Sequence, residues 1–120
     1  MKIKVSIIED NIMFREGLMR FIGFHDEFEI GAQFGAVAPF LQKSNIINDI
    51  PASILLLDIG LPGISGIDAI PAILNKYPEL NIVMLTSYEE EDIILKALCS
   101  GACSYLSKSV SMKEIVSALR

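Results

Sequence analysis

In the stretch ILLLDIGLPGISG, residues 54–66, four apolar residues lead directly into Asp58. A short, continuous apolar run predicts a strand that is buried on both faces, as in a parallel sheet. The residues from Gly60 to Gly63 predict a tight turn after it. An ionised carboxylate at the end of a buried strand costs free energy unless it has a partner. Asp58 is therefore the first candidate functional residue.

Strand and helix patterns alternate on both sides of this stretch. They predict strands at Ile3–Ile8, Phe28–Phe34, Ile54–Asp58, Ile82–Thr86 and Cys103–Ser107, and helices at Asn11–Phe24, from Val37 to about Asn45, at Ser65–Tyr77, from a capping box at Ser87 to about Ser100, and from a second capping box at Ser111 to Arg120. Pro71 should kink the third helix or delay its start. Such alternation predicts an α/β fold with three α/β/α layers, in which a five-stranded parallel sheet of order 2-1-3-4-5 is doubly wound.

The composition fits one intracellular domain. The chain has 120 residues, of which 52% are hydrophobic, and its formal net charge is −5. No apolar run approaches the roughly 20 residues that span a bilayer, and no signal peptide is evident. We therefore expect a cytoplasmic protein without a membrane segment. The negative charge disfavours nucleic-acid binding by this domain itself.

The cysteines and the histidine predict no catalytic or metal site. Cys99 and Cys103 match no zinc-binding spacing and are expected to be buried, inert thiols. His25 lies in a polar break and is expected to be a solvated loop residue.

Polar residues end four of the predicted strands. Glu9 and Asp10 follow the first strand, Asp58 ends the third, Thr86 ends the fourth, and Lys108 follows the fifth. In the predicted strand order the first and third strands are neighbours, so the three carboxylates should converge. Either one of them is protonated or a cation lies among them, and Mg²⁺ prefers such oxygen ligands. Singly, each residue could be a cap, a strand end or a surface charge; together they suit phosphoryl transfer to a carboxylate.

With these residues the sequence resembles the receiver domain of two-component response regulators. The motifs are Glu9-Asp10, Asp58 in LLLDIGLPGISG, Thr86 in VMLTS and Lys108 in GACSYLSKS, and the resemblance covers the whole chain. The sequence of these motifs is most similar to that of the LuxR/NarL-type subgroup, whose receivers precede a helix-turn-helix domain. The family implies the flavodoxin-like and CheY-like version of the doubly wound fold.

The resemblance implies a phosphoacceptor and a magnesium site. Asp58 would accept a phosphoryl group from a sensor histidine kinase or a phosphotransfer protein, which makes the chain a phosphoprotein of a phosphorelay rather than an enzyme with a separate substrate. It would assist its own phosphorylation and dephosphorylation. Asp10 and Asp58 would bind Mg²⁺ directly together with the Gly60 carbonyl, and Glu9 would act through a metal-bound water.

The resemblance also implies a switch. Lys108 would contact the phosphoryl oxygens and pair with Asp58, Thr86 would bond to the phosphoryl group, and Tyr105 would be the switch aromatic. One departure concerns the residue after the lysine, where the family often has proline on a cis peptide bond and this chain has Ser109. A cis bond before a non-proline residue costs about 2.5–4 kcal/mol, so the geometry there is open.

The domain organisation expected from this resemblance is a receiver over residues 1–120. The fifth helix would be cut short at Arg120, and a DNA-binding output domain that regulates transcription would lie outside this chain. Contact with DNA would occur only through that domain, and a homodimer is plausible.

Three other functions are alternatives to a phosphoacceptor domain. A phosphatase of the haloacid-dehalogenase type needs an acid two residues after its nucleophile, where Gly60 stands. A flavodoxin-like flavin module needs a phosphate-binding loop after the first strand, where the acidic Glu9-Asp10 would repel phosphate. The remaining alternative is a pseudo-receiver, which is never phosphorylated and acts only as a protein-interaction module.

Overall fold

Strands and helices alternate strictly in the computed structural model, which describes residues 3–42, 53–61, 63–87 and 90–120. The elements are β1 (Ile3–Ile8), α1 (Ile12–Gly23), β2 (Phe28–Phe34), α2 (Val37–Gln42), β3 (Ile54–Asp58), α3 (Gly66–Lys76), β4 (Asn81–Thr86), α4 (Glu91–Ser100), β5 (Ser104–Ser107) and α5 (Met112–Leu119). The predicted alternation is confirmed. The predicted end of the second helix near Asn45 lies outside the described residues.

The five strands form one parallel sheet in the order β2-β1-β3-β4-β5, as predicted. At the carboxyl ends of these strands, Ile8 is in register with Leu57, and Asp58 is in register with Leu85. The carboxyl ends of β1, β3 and β4 therefore lie side by side. The strand order reverses between β1 and β3, which is where doubly wound sheets bind ligands.

Helices cover both faces of the sheet, which gives the predicted three layers. Leu56 of β3 packs into the cluster formed with α1 and α5, whereas Leu55 and Leu57 pack into the cluster formed with α2, α3 and α4. All three side chains are fully buried. Because β3 is covered on both sides, an unbroken apolar run is required there instead of an alternating one.

Side-chain caps fix the starts of three helices. Asn11 accepts a hydrogen bond from the backbone N–H of Phe14 (3.0 Å) at α1. Ser65 and Ser111 accept from the third residue after them, at 3.2 Å each, at α3 and α5. The second predicted capping box therefore has its serine in the predicted role.

The capping box predicted at Ser87 is wrong. Helix α4 begins at Glu91, after Glu90, which makes no side-chain capping bond. Tyr88 and Glu89 lie outside the described residues. Glu91 and Asp92 occupy the first turn, so the start of α4 is favoured by charge at the positive end of the helix dipole. Its end is as predicted, with Gly101 at φ 123°.

Helix α3 starts at Gly66 and continues through Pro71. Of the two outcomes predicted from the proline, a kink or a delayed start, the delayed start does not occur, and Ser65 caps the helix at its first turn.

The expectation of buried cysteines is also wrong, because Cys99 and Cys103 are both exposed. Cys103 precedes the edge strand β5, and its Sγ donates to Asn81 Oδ1 at 3.5 Å. His25 is half-buried, with Nδ1 at 3.1 Å from the Phe21 carbonyl. Among the residues that the structure describes, no helix has the length and apolar character needed to cross a bilayer.

Candidate functional site

Glu9 is held rigidly just past the end of β1. Its side chain is fully buried, and its backbone N–H donates to the Phe34 carbonyl at 2.9 Å. Its Oε2 accepts from the N–H of Asn11 at 2.9 Å, and its carbonyl accepts from Arg15 Nη1 at 2.6 Å. Asp10, the next residue, is exposed. The acidic pair thus offers one fixed, buried carboxylate and one that faces solvent.

Asp58 ends β3 and is only 5% exposed. The loop after it folds back closely: a Cβ added to Gly66 would lie 2.0 Å from the Asp58 carbonyl oxygen. Gly66 also donates its N–H to the Ile59 carbonyl at 2.9 Å. Only glycine permits this approach, so the glycine at the start of α3 sets how the backbone passes behind Asp58. Gly60, in the same loop, directs its N–H to Asp58 Oδ1 at 3.4 Å.

The carboxylates of Glu9, Asp10 and Asp58 form one acidic cluster. Each offers an oxygen, and the three oxygens lie within 4.8 Å of one another; no other such group is present among the described residues. Three negative charges at this separation repel, and a hard divalent cation with oxygen ligands relieves that repulsion. The donor set therefore fits Mg²⁺.

Lys108 closes the cluster on its other side. Its backbone N–H donates to the Thr86 carbonyl at 2.9 Å. Its Nζ forms ion pairs with Glu9 Oε1 and, at 3.3 Å, with Asp58 Oδ2. Nζ also lies 5.1 Å from the centre of the Phe14 ring. The peptide bond to Ser109 is trans, as are all the described peptide bonds.

The charges of the cluster are mutually dependent. Burial raises the pKa of the Glu9 carboxyl above its ordinary value, and the negative charge of Asp58 adds to that effect, against the opposing contact with Lys108. Burial alone would lower the pKa of Lys108, but its contact with Glu9 and the charge of Asp58 outweigh burial and raise it. Lys108 is therefore a cation throughout the neutral range, and its charge offsets part of the carboxylate repulsion.

Thr86 and Tyr105 lie on the strands next to Asp58. Thr86 is fully buried at the end of β4 and is in register with Ser107. Tyr105 is in register with Met84, two residues before Thr86, so the two predicted switch residues lie on the same face of the sheet. Tyr105 is 40% exposed on the edge strand.

Three residues near Lys108 were not predicted from the sequence. Ser107 and Ser109, on either side of it, share a hydrogen bond between their Oγ atoms at 2.7 Å, and the Ser109 N–H donates to Ser107 Oγ at 3.1 Å. Their adjacency to Lys108 was the available signal. Phe14 is the third, and its position one helical turn after Asp10 could have indicated that it borders the cluster.

The structure thus brings together the acidic pair, Asp58 and Lys108 and sets Thr86 on the adjacent strand end. Gly60 lies in the loop directly after Asp58, and Tyr105 lies further back along β5. The convergence follows from the parallel sheet, in which the four carboxyl strand ends meet at one edge.

Known proteins are similar to this chain in sequence. The family described as the response regulator receiver domain matches residues 5–120. The transcriptional regulatory protein MctR of Rhizobium johnstonii is 33% identical over 118 residues, which cover 98% of this chain and 54% of that protein. The transcriptional regulatory protein YhcZ of Bacillus subtilis is 31% identical over 113 residues, covering 94% and 51%. The chain spans about half the length of these curated relatives.

Solved structures are similar over nearly the whole chain. The signal receiver domain of the response regulator NarL from Mycobacterium tuberculosis superposes with a TM-score of 0.84 at 26% identity, covering 98% of this chain and 93% of that one. A LuxR-family DNA-binding response regulator from Staphylococcus aureus also gives 0.84, at 24% identity, covering 98% and 95%; at that identity the likeness concerns the fold alone. The resemblance read from the motifs is confirmed, and the chain belongs to the response regulator receiver domain family.

Proposed function

We propose that this domain receives a phosphoryl group on Asp58 in a two-component phosphorelay and thereby switches an output surface. The observation that supports this most directly is the acidic cluster of Glu9, Asp10 and Asp58, within 4.8 Å, with the Lys108 ammonium paired to two of its members. A carboxylate nucleophile flanked by a cation site and a lysine has the components that phosphoryl transfer requires.

We assign the binding of Mg²⁺ to the carboxylates of Glu9, Asp10 and Asp58 together with the Gly60 carbonyl. Mg²⁺ commonly uses one or two carboxylates and keeps several waters. When bound, it supplies positive charge that offsets repulsion between the carboxylates and phosphoryl oxygens. The buried Glu9 suits an indirect role through water, whereas the exposed Asp10 suits direct binding.

In the transfer step, an Asp58 carboxylate oxygen attacks phosphorus and forms a new O–P bond. The bond between phosphorus and the donor histidine nitrogen breaks, and its electron pair stays on that nitrogen. Lys108, whose Nζ is 3.3 Å from Asp58 Oδ2, stabilises the negative charge on the phosphoryl oxygens. The product is an aspartyl phosphate, and its hydrolysis at the same site would return the domain to its starting state.

The switch is assigned to Thr86 and Tyr105. A phosphoryl group adds charge and acceptor oxygens at the strand ends, which draws the Thr86 hydroxyl toward it. Space freed beside Thr86 would admit the Tyr105 ring, which is 40% exposed before phosphorylation. The face formed by α4, β5 and α5 would change shape, and a partner that prefers the changed face would shift the population toward it.

The proposed partners follow from the family and from the length of the relatives. The donor would be a sensor histidine kinase or a phosphotransfer protein. Residues 1–120 would form the receiver of a longer cytoplasmic regulator, since MctR and YhcZ are named transcriptional regulatory proteins and are about twice as long. DNA would be bound by the remaining part, and the receivers would form a homodimer.

The test is intact-protein mass spectrometry after incubation with Mg²⁺ and acetyl phosphate. We expect the gain of one phosphoryl group in the native protein and none in Asp58→Asn. The matched control is Asp68→Asn, on the exposed first turn of α3, which should gain the group normally. A gain that survives Asp58→Asn would refute the assignment, and no gain in the native protein would favour the pseudo-receiver.

A further inference from the structure

Among the residues that the structure describes, three side chains of two different kinds lie beside the Lys108 ammonium. Two are the carboxylates of Glu9 and Asp58, which belong to the acidic cluster. The third is the ring of Phe14, whose centre lies 5.1 Å from Nζ. The side chain of Lys108 is 20% exposed, so most of it is shielded from solvent. The aromatic neighbour is the only one of the three that carries no net charge.

Phe14 is tied to the cluster through its own backbone. Its N–H donates to Asn11 Oδ1 at 3.0 Å, and the N–H of Asn11 donates to Glu9 Oε2 at 2.9 Å. The Phe14 side chain also packs against the core between the sheet and helices α1 and α5. The start of α1 therefore fixes the ring relative to the same carboxylate that Lys108 contacts.

We propose that Phe14 is a positioning residue, whose ring holds the Lys108 ammonium at the cluster when the carboxylates are shared with a divalent cation. This inference rests on the proposed phosphoacceptor function. A divalent cation among Glu9, Asp10 and Asp58 weakens their attraction for Lys108 and repels its charge. The attraction between an ammonium and a ring face is unaffected by that competition, because the ring binds no metal.

The benefit to phosphoryl transfer lies in conformational entropy. A lysine side chain is long and flexible, and ordering it costs conformational entropy. An ammonium already held beside Asp58 loses less freedom when a phosphoryl group arrives. Phe14 would thus increase the rate without touching the reacting atoms.

The direct test is the proton chemical shift of the Lys108 ε-methylene group. An ammonium against a ring face places these protons in the ring current, so we expect an upfield shift in the metal-free protein that persists when Mg²⁺ is added. Phe14→Leu should abolish the upfield shift, and Phe14→Tyr should keep it. Phe21→Leu is the matched control, since Phe21 is on the same helix but packs against His25, and it should leave the Lys108 signal unchanged.

Phosphorylation rates with acetyl phosphate provide the second readout. We expect Phe14→Leu to be about two- to tenfold slower, Phe14→Tyr to be near the native rate, and Phe21→Leu also to be near it. Equal Lys108 shifts in the native protein and Phe14→Leu would overturn the proposal, as would a rate that Phe14→Tyr fails to restore. A native protein that is never phosphorylated would refute the proposed function instead, and the metal-free shifts would still decide whether Phe14 holds Lys108.

Discussion

Gly66→Ala should damage the region behind Asp58 more than its small size suggests. The added Cβ would lie 2.0 Å from the Asp58 carbonyl oxygen, 2.9 Å from the Asp58 carbonyl carbon and 3.1 Å from the Ile59 Cα. All three are backbone atoms, so no side chain can rotate away to make room. The helix start and the end of β3 would have to separate by about 1 Å or more, since Cβ contacts below roughly 3 Å are not tolerated.

The expected cost is about 3 kcal/mol of unfolding free energy, the upper part of the usual range for inserting a methyl group into a packed core. For a chain of this size that corresponds to a fall in Tm of roughly 12 °C. Separation at Asp58 would also displace its carboxylate, so phosphorylation by acetyl phosphate should slow by about tenfold or more.

Gly17→Ala is the matched control, because it makes the same chemical change inside helix α1. Its added Cβ would meet only the flexible end of Met112 at 3.5 Å, an ordinary contact. Alanine has the higher helix propensity, so this variant should gain up to about 1 kcal/mol. Thermal unfolding by circular dichroism measures both variants. Should Gly66→Ala melt within about 2 °C of the native protein and be phosphorylated at the native rate, the reasoning from close approach would be wrong.

Two further predictions concern the charges of the acidic cluster. Above the dissociation constant, Mg²⁺ should raise the Tm of the native protein in proportion to the logarithm of the Mg²⁺ concentration. In Asp58→Asn the rise in Tm should be smaller, because one ligand charge is lost. If calorimetry shows the same rise in Tm for both proteins, Asp58 is not a ligand. Lys108→Met should destabilise the metal-free protein by about 1–3 kcal/mol at pH 7, because it leaves two carboxylates without their cation. Since the folded pKa of Lys108 is raised above its ordinary 10.5, this stabilisation is complete below that pH and is lost as pH rises through the folded value. Urea unfolding should therefore show a smaller difference in unfolding free energy between the native protein and Lys108→Met above pH 10.5 than at pH 7. The same difference at both pH values would contradict this reasoning.

Much of the fold could be predicted because the signals are local. The unbroken apolar run before Asp58 identified a strand covered on both faces, and the alternation of Phe28–Phe34 identified a strand nearer the edge. Serine and asparagine caps marked three helix starts. Parallel strands place their carboxyl ends at one edge, so the residues after β1, β3, β4 and β5 could be assigned to one crevice before any distance was known.

The errors arose where a local signal competes with tertiary packing. The residues from Ser87 have the form of a capping box, yet α4 begins at Glu91. Cysteine is usually buried, but Cys103 precedes an edge strand and is exposed. Pro71 lies inside α3, and the start of that helix is marked by the Ser65 cap and not delayed by the proline.

The order of elements, the layers and the acidic and basic groups at the strand ends could all be predicted from the sequence, because hydrophobic periodicity and strand-end residues are local features of the chain. Tertiary structure alone decided that Lys108 pairs with both Glu9 and Asp58, that Phe14 stands against its ammonium, and that Gly66 passes against the Asp58 backbone. The contacts of Lys108 join segments far apart in the chain, and Gly66 meets Asp58 where the start of α3 packs back against the end of β3. Their distances depend on how the helices pack against the sheet. Electrostatic and steric effects act over a few ångströms, so the chemistry of the crevice becomes specific only once that packing has set the distances.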